Sequence, residues 1–294
     1  MQSLKEVRTR IASVNSTKQI TNAMKMVSAS KLRKAQNVII KLRPYALKLQ
    51  EILQNLSASQ EEDDGNVFMN TREEKKILLI VVASNRGLCG AFNTNVIKST
   101  NKLISSKYNE QAKNGNVKLI CIGKKVTEYF SRSDNCEVIK QFDDIFNSLT
   151  FDNVVPVAEE IMKLFSDKHF DKIEFVYNKF KNAAVQILEI EQFLPIKAPE
   201  ENIEEPISVD YILEPDKENI INEIIPKTLK LQFYKTLLDS FASEHGARMI
   251  AMNQATENAI ELLKNLKLTY NKARQAAITN EILEIVSGSE ALKG

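Results

Sequence analysis

Apolar residues recur near the start of the chain at Leu4, Val7, Ile11 and Val14. They recur again at Leu32, Ala35, Ile39, Leu42, Ala46, Leu49, Leu53 and Leu56. Both series step by alternating threes and fours, a period of 3.5 that aligns one seam of a helix against a partner helix. Between them, through NSTKQITNAMKMVSASK, the pattern predicts a loss of phase. Pro44 predicts a kink or a short interruption, because it removes one backbone donor. The last segment repeats the signal. From 227 to 287 only Gly246 interrupts helix-forming sequence, a run of about 90 Å at helical rise. A strict heptad walk through it reads Leu231, Tyr234, Leu238, Phe241, His245, Arg248, Met252, Ala255, Ala259, Leu262, Leu266, Thr269, Ala273, Ala276, Asn280 and Leu283. Most of these positions are apolar, too many for an accidental stripe. The economical arrangement pairs the two terminal segments as an antiparallel coiled coil, with the C-terminal helix extending beyond the end of its mate.

The middle of the chain has a different period. KKILLIVVAS (75–84) is a continuous β-branched run of buried-strand type, followed by a turn and a helical stretch at 94–108. A strand at 117–123, a helix at 125–131, a short strand near 137–140 and a helix at 154–168 come next. Strands at 172–180 and 185–193 complete the segment. Strand–helix alternation with apolar, two-sided strands predicts a sheet covered by helices on both faces. The acidic spacers SASQEEDDGN and KAPEENIEEPISVDYILEPDKEN flank it. The expected organisation is a helix at 1–58, a linker at 59–74, an α/β domain at 75–196, a linker at 197–226, a helix at 227–287 and a tail at 288–294. The fold class is α/β: a long antiparallel coiled coil of the N- and C-terminal helices with an inserted Rossmann-like α/β domain.

Composition narrows the chemistry. Hydrophobic content of 43% with 27% charged residues describes a chain with a real core, and no run of 18 apolar residues offers a membrane span. The start, MQSLKEVRTR, has no apolar region of signal-peptide type. Cys89, Cys121 and Cys136 have no metal-ligand spacing and suit a reducing compartment. The turn ASNRGLCGAFN (83–93) lies where a nucleotide fold would hold phosphates, but Gly87 and Gly90 supply only G-x-x-G, and no G-x-x-x-x-G-K-[ST] occurs. The glycines are therefore expected to serve tight backbone packing. His169 and His245 lie in different segments, and His245 falls on the C-terminal seam as a tolerated polar position. Neither catalytic residues nor a metal or cofactor site is expected. Charge says more. Residues 1–50 carry seven lysines and four arginines against the single acid Glu6, a net +10. Nucleic acid or an acidic protein surface would attract it. Tyr45 is the only aromatic residue there, so base stacking lacks a platform, which favours an acidic protein partner over nucleic acid.

Five stretches carry a family likeness: IASVNSTKQITNAMKMVSASKLRKAQ, SNRGLCGAFN, YILEPD, ASEHGARMIAMNQATENA and YNKARQAAITNEILEIVSGSEAL. In order, and over essentially the whole chain, they resemble the gamma subunit of F-type ATP synthase, of bacterial type. The resemblance implies the central-stalk rotor, a non-catalytic subunit that transmits torque between an ion-driven membrane ring and the catalytic alpha–beta hexamer. It implies as partners the alpha and beta subunits, the epsilon subunit and the membrane c-ring, without membrane insertion of its own. The expected location is the cytoplasmic side of the bacterial inner membrane. By the same resemblance the contacts with the hexamer fall on Met24, Lys25, Arg248, Arg274, Gln275, Thr279 and Glu281. The turn departs from many relatives in reading SNRG rather than SDRG. There is also no cysteine-bearing insertion of the kind found in chloroplast relatives.

Two other functions compete on the residues alone. A free coiled-coil scaffold would surround its C-terminal helix with charge, whereas EILEIVSGSEALKG keeps Ile282, Leu283, Ile285 and Val286 on several faces. A nucleotide-using enzyme would need the missing phosphate loop.

Overall fold

The computed structural model describes residues 3–58, 67–133, 136–196 and 217–291. Most of both acidic spacers, YILEPD included, and the end of the expected tail lie outside the described residues. Two compact units result: Met1–Ser28 with Met249–Gly294, and Ala29–Arg248. Two long helices, α1 (Leu4–Ala58) and α6 (Lys217–Ala291), contribute to both. The helix α1 runs through Pro44, which lies on an exposed face where a missing N–H leaves no buried acceptor unpaired. The helix α6 begins ten residues earlier than expected, within the presumed second linker, and carries Pro226 inside it.

In the first unit α1 and α6 pair antiparallel. The hydroxyls of Thr21 and Thr256 lie 2.8 Å apart, and Lys25 Nζ donates to Asn253 Oδ1 at 2.6 Å. Moving four residues forward on α1 thus moves three back on α6. Leu4, Val7, Ile11, Val14, Lys18, Thr21, Lys25 and Ser28 are all buried or half-buried. The steps of three and four never break, so the expected loss of phase does not occur. Polar occupants, not a change of register, interrupt the apolar pattern.

Between Met252 and Ala276 of α6 the expected walk holds at every second position. Met252, Ala259, Leu263 and Leu266 are buried and Thr256, Tyr270, Ala273 and Ala277 half-buried, whereas Leu262, Thr269 and Ala276 are exposed. The seam still repeats every seven residues, but it pairs positions four and three apart in the opposite order to the walk. Met252, Ala259, Leu266 and Ala273 of the walk stay inside, while Thr256 joins Ala255, and Leu263, Tyr270 and Ala277 take the place of Leu262, Thr269 and Ala276.

The second unit holds the sheet. Its strands are β1 (Ile77–Val82), β2 (Val117–Ile122), β3 (Glu137–Gln141), β4 (Lys172–Phe180) and β5 (Gln186–Leu194), in the order β3-β2-β1-β4-β5. The first four are parallel, and β5 returns antiparallel to β4 as an edge. Every β1 residue is buried because both faces are covered, as parallel sheets require. On one face Leu78, Ile80 and Val82 pack with Val154, Ala158, Ile161 and Phe165 of α5 (Phe151–Ser166). The same core takes Ile225, Leu229, Phe233 and Leu237 of α6, with Ile39 and Leu42 of α1 against it. On the other face Ile77, Leu79 and Val81 meet Val96, Leu103 and Ile104 of α2 (Phe92–Ser106). Between these helices α3 (Asn109–Lys113) and a 3-10 turn at Asp144–Phe146 were not legible in the pattern, while α4 (Lys124–Phe130) was. From 231 to 248 α6 is buried on nearly all sides, so no single stripe exists there. Its Gly246 passes the β4–β5 hairpin so closely that a Cβ would sit 3.1 Å from Ala183 O.

Candidate functional site

Strand β1 ends in the turn 83–93, which the structure fills from within. The backbone N–H of Ser84 donates to Asn93 Oδ1 at 3.0 Å, and Ser84 Oγ lies 2.7 Å from Arg86 O. Asn93 Nδ2 reaches Cys89 Sγ at 3.3 Å, and burial pushes the Cys89 thiol above its ordinary pKa. These side chains use the turn's interior for its own bonds.

The glycine expectation needs correcting. A Cβ at Gly87 or Gly90 would meet nothing within 4 Å, although Gly90 takes a φ of 60°. The close approach is at Gly123, where φ is 108° and a Cβ would lie 2.2 Å from Ala83 O. The neighbouring departure, asparagine at 85, also has a physical reason. Asn85 Nδ2 donates to Asp143 O at 2.6 Å while its Oδ1 accepts from Lys124 N at 3.0 Å. An aspartate could keep only the second bond.

Facing the turn is a polar cluster on α6. Arg248 Nη1 pairs with Glu244 Oε1 at 2.5 Å, and its Nη2 donates to Arg86 O at 2.9 Å and Gly87 O at 3.3 Å. Burial raises the pKa of Glu244, against the opposing pull of Arg248, Lys31 and Arg86. Burial also pushes His245 down to about 3, so its imidazole is neutral beside the guanidinium, with Nδ1 3.4 Å from Arg248 Nη1. Arg248 is only 7% exposed. The heptad walk puts it on an inward face, and within this chain its donors are engaged by Glu244 and the turn. Glu244 was missed, although a glutamate four residues before an arginine on a helix was visible in ASEHGAR.

The remaining expected residues belong to the first unit. Lys25 is half-buried on the seam, bonded to Asn253, and Met24 one residue before it is half-buried as well. Arg274, Gln275, Thr279 and Glu281 are exposed on α6, and Thr279 Oγ1 donates back to Gln275 O at 2.9 Å. At 100° per residue Gln275 and Thr279 share one face and Arg274 and Glu281, seven apart, share another. They form two rows rather than one patch. Among the described residues no three His, Cys, Asp or Glu side chains converge to hold a metal ion, and no helix is long and apolar enough to cross a membrane.

A family model described as ATP synthase matches residues 3–292. The ATP synthase gamma chain of Cytophaga hutchinsonii is 54% identical over 294 residues, covering 99% of each chain. That of Flavobacterium psychrophilum is 55% identical over 295 residues, with both chains covered completely. Among solved structures, a chain of the Euglena gracilis mitochondrial ATP synthase (OSCP, F1 and c-ring, rotational state 3) superposes with a TM-score of 0.66. It has 22% identity and covers 98% of this chain and 94% of its own, a likeness of fold. With the family model matched across almost its full length and relatives above half identity, the chain belongs to the ATP synthase gamma chain family.

Proposed function

We propose that the chain is the central-stalk rotor of an F-type ATP synthase. It is a non-catalytic subunit that carries torque between an ion-driven ring and the alpha–beta hexamer and so regulates ATP turnover and ion flow. One observation carries most of the reading. α6 continues past the N-terminal end of its partner helix, and from Ile278 onward every described side chain is exposed, including Ile282, Leu283, Ile285 and Val286. Apolar residues on several faces of a lone helix need an apolar surround, such as a sleeve formed by other subunits. The basic α1 supplies a surface suited to acidic loops of that hexamer. Contacts with it fall on Met24, Lys25, Arg274, Gln275, Thr279 and Glu281, and the epsilon subunit and c-ring complete the assembly. The complex sits on the cytoplasmic face of the bacterial inner membrane, with this chain peripheral. A tagged chain purified from native membranes should bring down alpha, beta, epsilon and c subunits in fixed ratio. Recovery of the chain alone, with none of these, overturns the proposal.

A further inference from the structure

We propose that Arg248 is a positioning residue, acting on coupled rotation through the turn at 85–88 rather than by touching a partner. The inference rests on the central-stalk reading above. Three features of the geometry point to it. First, the guanidinium lies beneath the turn and its fork is divided: one nitrogen is held by Glu244 Oε1, and the other is shared by the carbonyls of Arg86 and Gly87. A planar fork with two engaged ends has one orientation, and lysine, with a single point charge on a flexible stem, cannot reproduce it. Second, the clamp is itself fixed from behind. Glu244 and His245 are buried, the imidazole meets the Phe241 ring edge-to-face with centroids 4.4 Å apart, and Gly246 brings the same helical turn close against Ala183. Third, what the clamp holds is strained and outward-facing. Leu88 takes a φ of 61°, a left-handed conformation uncommon for a branched residue, yet its side chain is 66% exposed and contributes little to the core. Arg86 and Gly87 beside it are exposed as well.

Strain with no packing return at an exposed tip marks a shape that is held for use. The clamp links a helix buried on nearly every side to a turn that displays a cation and an apolar side chain. Arg248 contributes by keeping Arg86 and Leu88 in one presentation as α6 turns. Glu244 is the second member of the device, because it orients the guanidinium and balances its charge in a site closed to water.

The experiment reads the turn and the coupling separately. The Arg86–Gly87 bond is a trypsin site, so limited trypsin digestion of the full-length chain, followed by mass spectrometry, reports how firmly the turn is held. Arg248→Ala and Glu244→Gln should be cut there at least tenfold faster than wild type, with Arg248→Lys in between. In membrane vesicles bearing the assembled complexes, the ratio of ion pumping to ATP hydrolysis should fall in the same rank order. Unchanged cleavage with reduced coupling would mean that Arg248 meets a partner directly, and it overturns the inference. Faster cleavage with unchanged coupling overturns it too, because the turn's shape then has no use. If Arg248→Ala does not accumulate, Glu244→Gln and Arg248→Lys decide both readouts. Failure of the wild-type chain to assemble would refute the central-stalk reading itself, and with it the coupling claim, whatever the digestion shows.

Discussion

Adjacent leucines on α6 separate the seam that the structure contains from the one a strict heptad walk implies. Leu263 is 8% exposed and Leu262 is 46% exposed, although the walk puts Leu262 inside. Replacing Leu263 by alanine removes three buried carbons at about 0.8 kcal/mol each, plus a cavity term, for about 2–3 kcal/mol. The same change at Leu262 removes carbons that are already largely in solvent and gains in helix propensity, so its net effect is about 0–0.5 kcal/mol. Amide hydrogen exchange resolved along α6 is the suitable assay, because the first unit can open without the sheet unfolding. Leu263→Ala should speed exchange in 252–277 by roughly 30- to 150-fold, since 1.4 kcal/mol is a factor of ten. Leu262→Ala should leave it within about twofold. A larger effect at Leu262 than at Leu263 would refute this seam and restore the strict walk.

Three further outcomes are expected. Gly123→Ala would drive a Cβ into Ala83 O at a φ of 108°. The chain should lose at least about 3 kcal/mol in denaturant titration, or fail to accumulate; a loss under about 1 kcal/mol contradicts the account. Asn85→Asp should cost about 1–3 kcal/mol at neutral pH, because the carboxylate faces Asp143 O without a proton to donate, and the loss should shrink as the pH falls through the carboxyl's titration. Burial pushes the Asp239 carboxyl up to about 6, a stability contribution present below about pH 4 and lost as pH rises through 6. His245, pushed down to about 3, contributes stability above about pH 6.5 that is lost as pH falls. Asp239→Asn should therefore steepen acid destabilisation between pH 6 and 4 by about 2 kcal/mol in urea melts, and His245→Gln should flatten it; identical pH profiles would contradict both assignments.

Most strands and helices of the second unit were legible because burial on both faces of a parallel sheet leaves apolar runs that few other structures need. The expected strand at 172–180 coincides with β4, and that at 185–193 lies one residue from β5. Short elements such as α3 have no buried residues and hence no pattern to read. The polar seam was hidden for a different reason. Thr21 and Ser28 are buried in α1, and Thr21 meets Thr256 by a hydrogen bond rather than by apolar contact. A hydropathy period cannot register a position that is inside and polar. The turn cluster shows the same limit: spacing revealed that Glu244 and Arg248 could pair, but only the fold brings the carbonyls of Arg86 and Gly87 to the guanidinium.

The most misleading segment was also the longest element, and the cause lies in its changing surroundings. Between 231 and 248 α6 is enclosed on nearly all sides, so apolar residues are favoured at every position and any walk through them scores well. From Met252 to Ala277 it has one partner, and a stripe of buried and half-buried positions three and four apart appears. Beyond Ala277 that partner ends, and Ile282, Leu283, Ile285 and Val286 stand uncovered. One helix thus presents three different environments along its length. Hydrogen bonds such as Thr21 to Thr256 and Lys25 to Asn253 fix one register, whereas neighbouring apolar registers would differ little in energy. A pair of helices that must resist sliding under torque gains more from such directional contacts than from additional leucine.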